Sequence, residues 1–180
     1  SAQSIEITSA TAGAIHYTVD GTAPTDASPV YDGAIAVDAT TQLRARLVPD
    51  AGEPLTGAAA YIFADPSLDV STNLPIIVVE TWGELDAIND PERPRDWHDI
   101  SIAVLEPTDG TTNLTTAPSF IGRGGMHIRG NSTVDYPKKQ WNFELWKEDD
   151  TDRKVPLLGI PKESDWILHA PYSDKTLMRN

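Results

Sequence analysis

The sequence predicts a mainly β chain, with a small antiparallel β-sandwich followed by a second, strand-rich unit. Three observations predict it. Apolar residues recur with period two in short runs, as at Ile15, Tyr17 and Val19 and at Leu43, Ala45 and Leu47, which half-buries an extended strand. Gly, Pro, Asp and Ser gather between the runs, where turns need positive φ or a fixed φ. Helical periodicity is absent from the first segment, so strands are its only regular element.

Taken in order, Ile5–Ile7 and Ile15–Val19 read as strands, and Asp20-Gly21 followed by Ala23-Pro24 reads as a turn. Ile35 with Val37, the 43–47 run, and Tyr61 with Phe63 supply further apolar faces. The first unit is set at 1–64. Residues 65–73 are small, polar and Pro-containing and read as a linker, and the second unit runs from 74 to 180. Leu74–Thr81 is apolar and β-branched, as a buried strand is. Gly83–Asp99 reads as loop with one helical turn, and Asp99–Glu106 as a strand. Residues 107–119 read as a surface crossing. Gly125–Gly130 and Lys138–Lys147 read as strands flanking a turn, and Trp166–Ala170 as another strand. Asp174 is a candidate N-cap for a helix starting at Lys175.

Composition removes several function classes. The 180 residues carry 14 Lys plus Arg against 27 Asp plus Glu, a net charge of -13. A field of that sign repels a phosphate backbone, so a generally basic nucleic-acid binder is excluded. Apolar runs such as Pro75–Val79 fall far short of the ~20 residues that a membrane-spanning helix needs. The absence of Cys excludes disulfides, thiolate nucleophiles and Cys-ligated metals. The four His residues are scattered, which disfavours a His-based zinc site. Charge is unevenly spread: residues 1–119 hold 4 basic and 18 acidic residues, whereas 120–180 hold 10 and 9. An anion, if one binds, therefore finds its counter-charge in the last third.

The densest polar constellation lies there. Ile128-Arg129-Gly130-Asn131-Ser132 precedes Tyr136-Pro137-Lys138-Lys139. Gly130 lets backbone amides approach a ligand, Asn131 and Ser132 add short donors, and Arg129 with Lys138 or Lys139 supplies fixed positive charge. These are the parts of a phosphate cradle. The same residues also suit a plain hairpin whose turn needs Gly and Asn. Strand parity puts Met126 with Ile128 on one face and His127 with Arg129 on the other. It puts Lys138 in a polar row and Lys139 in an apolar one, and does not decide which faces a ligand. Upstream, Gly122-Arg123-Gly124-Gly125 is read as backbone freedom. The acidic run Glu148–Asp150 with Asp152, beside Arg153 and Lys154, reads as a solvated hairpin tip. No catalytic or metal-ligating set is identified.

Two segments resemble known families. The strings YTVDGTAPT and VYDG, within Gly13–Val48, resemble the chitobiase C-terminal-type sandwich, a module that accompanies secreted bacterial enzymes. The strings STNLPIIVVET, GMHIRGNSTVDYPKKQWNFEL and LLGIPKESDWILHAPYSDKTLMRN resemble the N-terminal part of the spore-coat protein H (CotH) kinase family, over roughly Ser71–Asn180. Together they imply an immunoglobulin/fibronectin-like β-sandwich followed by an incomplete α+β kinase-like small lobe. The second resemblance implies an atypical protein kinase, secreted or on the bacterial cell surface, that uses ATP and Mg. It would contact nucleotide through Arg129, Gly130, Asn131, Ser132, Lys138 and Lys139, with Asp174, Arg179 and Asn180 opening a helix beside them. It further implies that the catalytic and metal-binding aspartates lie beyond Asn180, so that this chain alone is inactive. The competing expectation is a non-catalytic surface module that binds glycan through Trp82, Trp97 or Trp146, or that meets a coat or other extracellular protein as a scaffold. Neither expectation involves nucleic acid or membrane.

Overall fold

The computed structural model describes residues 3–63, 67–92 and 95–173. The expected helix after Asp174, with Arg179 and Asn180, lies outside the described residues.

The first unit holds two small sheets. One pairs β1 (Gln3–Ile5) with β3 (Ile35–Val37), and the other orders β2 (Gly13–Thr18), β4 (Thr41–Pro49) and β5 (Leu55–Tyr61) as β2-β4-β5. This is the architecture expected of a small antiparallel β-sandwich. The first strand sits slightly earlier than expected, and the amide of Ile7 instead donates to the Tyr31 hydroxyl at 3.1 Å. Alternation along β4 explains its burial. Leu43 and Leu47 are buried on one face, while Gln42 and Arg44 are buried on the other. Antiparallel register sets Gln42 opposite Ala60 and Arg44 opposite Ala58. The polar face of β4 and the small residues of β5 thus form one surface, which meets the second unit.

The second unit is a five-stranded antiparallel sheet. Its strands are β7 (Ile76–Glu80), β8 (His98–Leu105), β10 (Phe120–Ile128), β11 (Trp141–Trp146) and β12 (Asp165–Leu168), in the order β12-β11-β10-β8-β7. The short strands β6 (Ser71–Thr72) and β9 (Thr112–Asn113) pair with each other, so the end of the expected linker and the expected surface crossing are tied together. The single helical turn expected in 83–99 is α1 (Leu85–Ile88). Among the described residues it is the whole helical content, and the fold is mainly β. Ile88, Ile100, Ile102, Val104, Met126, Phe143, Leu145 and Leu157 form the core. Ile100, Ile102 and Val104 repeat every second residue along β8, and Met126 faces Phe143 in register, so one sheet face supplies most of the cluster.

Two expectations need correction here. The Gly122–Gly125 run is not a flexible approach to a ligand but the middle of β10. A Cβ on Gly124 would lie 2.0 Å from the Glu144 carbonyl oxygen, and one on Gly125 would lie 2.3 Å from the Trp146 ring. The glycines are there because side chains and backbone lie across the strand. The acidic run is not merely a solvated tip either. Asp150, at φ 62°, turns its carboxylate onto Arg123 and stands 3.9 Å from Arg44.

Candidate functional site

The expected cradle begins where β10 ends. Met126 and Ile128 point into the core, so His127 and Arg129 face outward, as parity requires. The Arg129 amide donates to the Gln140 carbonyl at 2.8 Å, closing the pairing with the start of β11. Gln140 is buried, and its Oε1 accepts from Nδ1 of His169 at 2.8 Å. Between 129 and 140 the chain leaves the sheet as a loop. Gly130 has φ +118°, and a Cβ there would fall 1.9 Å from Thr133 Oγ1. That position requires glycine on both counts.

A cleft of about 530 Å³ opens beside this corner. That volume lies within the ~300–1,000 Å³ typical of small-ligand sites. Arg129, Gly130 and Asn131 line it, together with Arg95, Trp97, His127 and Asn142. His127 donates from Nδ1 to the Ile128 carbonyl at 2.8 Å, which leaves Nε2 as an acceptor 3.5 Å from the Asn142 amide nitrogen. The Trp97 ring meets the His127 ring edge-on, with centroids 4.4 Å apart, and Trp146 stands behind Trp97 at 6.2 Å. Two guanidiniums, two carboxamides and an indole therefore share one concave surface, and among the described residues no Asp or Glu lines it. That donor set suits an anion bearing an aromatic or flat apolar part.

The remaining expected residues stand elsewhere. Ser132 and Lys138 are exposed on the loop and do not line the cleft. Lys139 turns Nζ back onto the carbonyl of Val134, whose side chain is buried. It holds the loop to its own plug. Of the three Trp residues considered for glycan, Trp97 is 42 % exposed, whereas Trp82 and Trp146 are half-buried. Sequence reasoning missed Arg95, His127 and Asn142 as lining residues. A signal existed for the last two: strand parity sets His127 beside Arg129, and register sets Asn142 opposite His127. Among the described residues no cluster of His, Asp or Glu stands where it could hold a metal ion.

Glu144, on β11, has a perturbed carboxyl. Burial raises it above the usual carboxylate range, and neighbouring Asp152 and Asp165 add to the shift. It does not line the cleft beside Arg129.

With this geometry in view, the family comparisons are informative. Residues 1–57 match the family model for the chitobiase/β-hexosaminidase C-terminal domain, and residues 126–180 match that for CotH kinase protein. The two stand in the order that the sequence motifs implied. The second match starts at Met126, so it covers His127, Arg129 and the loop but neither Arg95 nor Trp97. No curated protein and no solved structure matches the chain.

Proposed function

We propose that the second unit is part of an ATP-using, CotH-type kinase domain, and that the cleft at Arg129 holds the phosphates of a nucleotide. The observation that carries this reading is the donor set: Arg95, Arg129, Asn131 and Asn142 converge on one cleft that no Asp or Glu among the described residues lines, in a chain whose net charge is -13. Local positive charge against an acidic background focuses anions onto that spot. Arg129 grips an oxyanion in fork geometry, Gly130 holds the corner, and Trp97 offers a face for a base. When bound, the nucleotide supplies the phosphoryl group. The described residues contain no metal cluster, so no role for Mg is assigned to them. The matched families also support action outside the bacterial cell or at its surface. No helix among the described residues is long and apolar enough to cross a membrane.

The test is isothermal titration with MgATP. We expect saturable binding that weakens about tenfold in Arg129→Ala, in line with ~1.4 kcal/mol per tenfold. Absence of heat, or equal binding by the variant, removes the nucleotide reading. One observation favours a second reading: Trp97 is exposed in the same cleft beside carboxamides, which is also how a sugar ring stacks. A glycan array answers this. Capture lost in Trp97→Ala and kept in Arg129→Ala would support a surface-binding module instead.

A further inference from the structure

We infer that His169, which does not line the cleft at Arg129, is a positioning residue for it and acts through Gln140; the inference rests on the nucleotide reading above. Register sets the three residues in one row. Ile128 of β10 stands opposite Trp141 of β11, and Trp141 stands opposite Leu168 of β12. One residue further out, antiparallel pairing puts Arg129 opposite Gln140 and Gln140 opposite His169. Each of the three lies just past the end of its strand, so two bonds beyond the strands hold the row. The Arg129 amide donates to the Gln140 carbonyl at 2.8 Å. Nδ1 of His169 donates to the Gln140 side-chain oxygen, also at 2.8 Å.

Burial makes the second bond matter. Gln140 is 8 % exposed. Without His169 its Oε1 is either left buried and unpaired or swung out to water, and swinging out disturbs the carbonyl that the Arg129 amide holds. Arg129, Gly130 and Asn131 line the cleft, so the disturbance reaches the groups proposed to grip phosphate. The chain after β12 meets the 129–140 loop a second time. The Tyr172 ring lies 5.2 Å from the Tyr136 ring, and the Tyr172 amide donates to the carbonyl of buried Ala170 at 2.8 Å. The segment 169–172 therefore fastens the loop at its end and in its middle. His169 is itself exposed and belongs to no part of the core cluster, so replacing it leaves that cluster intact.

Titration of the intact chain with MgATP, read beside amide hydrogen exchange at Arg129, tests this. In His169→Ala we expect affinity to fall about fivefold and the Arg129 amide to exchange faster. His169→Asn keeps a donor at the place of Nδ1 and should restore affinity to within about twofold of wild type. His169→Gln carries its donor further out, at the place of Nε2, and should behave as His169→Ala does, although it is larger and polar. If wild type binds and His169→Ala binds equally, or if His169→Asn is as weak as His169→Ala, the inference is overturned and the nucleotide reading stands. A weaker His169→Ala whose Arg129 amide exchanges as in wild type also overturns it, because the effect then does not pass through Gln140. If wild type binds no MgATP, the nucleotide reading falls and takes the role of His169 with it.

Discussion

Gly125 shows how a single hydrogen in place of a side chain shapes the wall of the candidate site. Its missing Cβ leaves room for the Trp146 ring at 2.3 Å and the Trp97 ring at 3.0 Å from the ideal Cβ position. Gly125→Ala must push both indoles away, at a cost of ~1–3 kcal/mol, as overpacking generally does. Gly57, on β5, has open space at the same position and no left-handed φ. Gly57→Ala should stay within ~0.5 kcal/mol of wild type. Urea denaturation of the pair checks this, and equal losses would contradict it. The two lysines make a similar contrast. Lys139→Met removes the bond to the Val134 carbonyl and should cost ~1 kcal/mol, while Lys138→Met should be silent by the same measurement. Neither difference was legible in the sequence. A glycine that serves a ring 21 residues away, or a lysine that turns back on its own loop, leaves no local trace, because the partner is fixed by tertiary packing.

At the scale of the element, alternation was legible wherever a strand buries one face. β2, β3 and β4 fall close to where period two put them. It failed where side chains were missing or misleading. β10 starts at Phe120 rather than Gly125, since three glycines in the run carry no polar or apolar signal. β11 starts at Trp141 rather than Lys138, because the alternation of Lys139, Trp141 and Phe143 continues backward past the point where Gln140 closes the pairing with Arg129. The cleft was half legible for the same reason: Arg129 and His127 follow from parity, but Arg95 and Trp97 arrive from a loop. Within β11, Glu144 gives a prediction about pH. Its folded carboxyl binds its proton more tightly than the ordinary value of 4.5, chiefly through burial and then through Asp152. Its contribution to stability is therefore full below about pH 4.5 and is lost as pH rises through the raised folded value. Glu144→Gln removes that loss. Its melting temperature should exceed wild type by ~1–3 °C at pH 7 and match it at pH 4. Glu163, whose carboxyl is lowered first by the Ser164 amide and then by Lys154, titrates in the opposite sense, but it is common to both proteins and cancels in the difference. A gap of equal size at both pH values would show that the carboxylate is not the cause.

For the whole molecule, the question is what keeps the first unit folded. Among its described residues the large buried aliphatic side chains are Val37, Leu43 and Leu47, while the second unit buries a continuous cluster. Sandwiches of about 60 residues bury only ~60 % of their unfolded surface and are marginal alone. The second face of β4 supplies what the core does not. Arg44 is 9 % exposed, and it donates to the Gly21 carbonyl at 3.3 Å and to the Glu148 carbonyl at 2.8 Å, so one side chain joins a turn of the sandwich to the acidic turn of the sheet. Burial, followed by the nearby Arg123 charge, lowers its affinity for its proton, and Asp150 opposes that shift. Arg44→Ala leaves the Glu148 carbonyl unpaired at the junction and should cost the first unit ~1–3 kcal/mol. The chain carries its own reporters for this. All five Trp stand at or beyond residue 82, so indole fluorescence follows the second unit alone, whereas far-ultraviolet circular dichroism follows both. In wild type the two urea transitions should coincide, as they do when units unfold together. In Arg44→Ala the dichroism should begin to fall at lower urea while the fluorescence midpoint moves little. If both curves shift together, the units are joined by more than this contact. If neither shifts, the sandwich stands on its own core and the junction does not stabilise it.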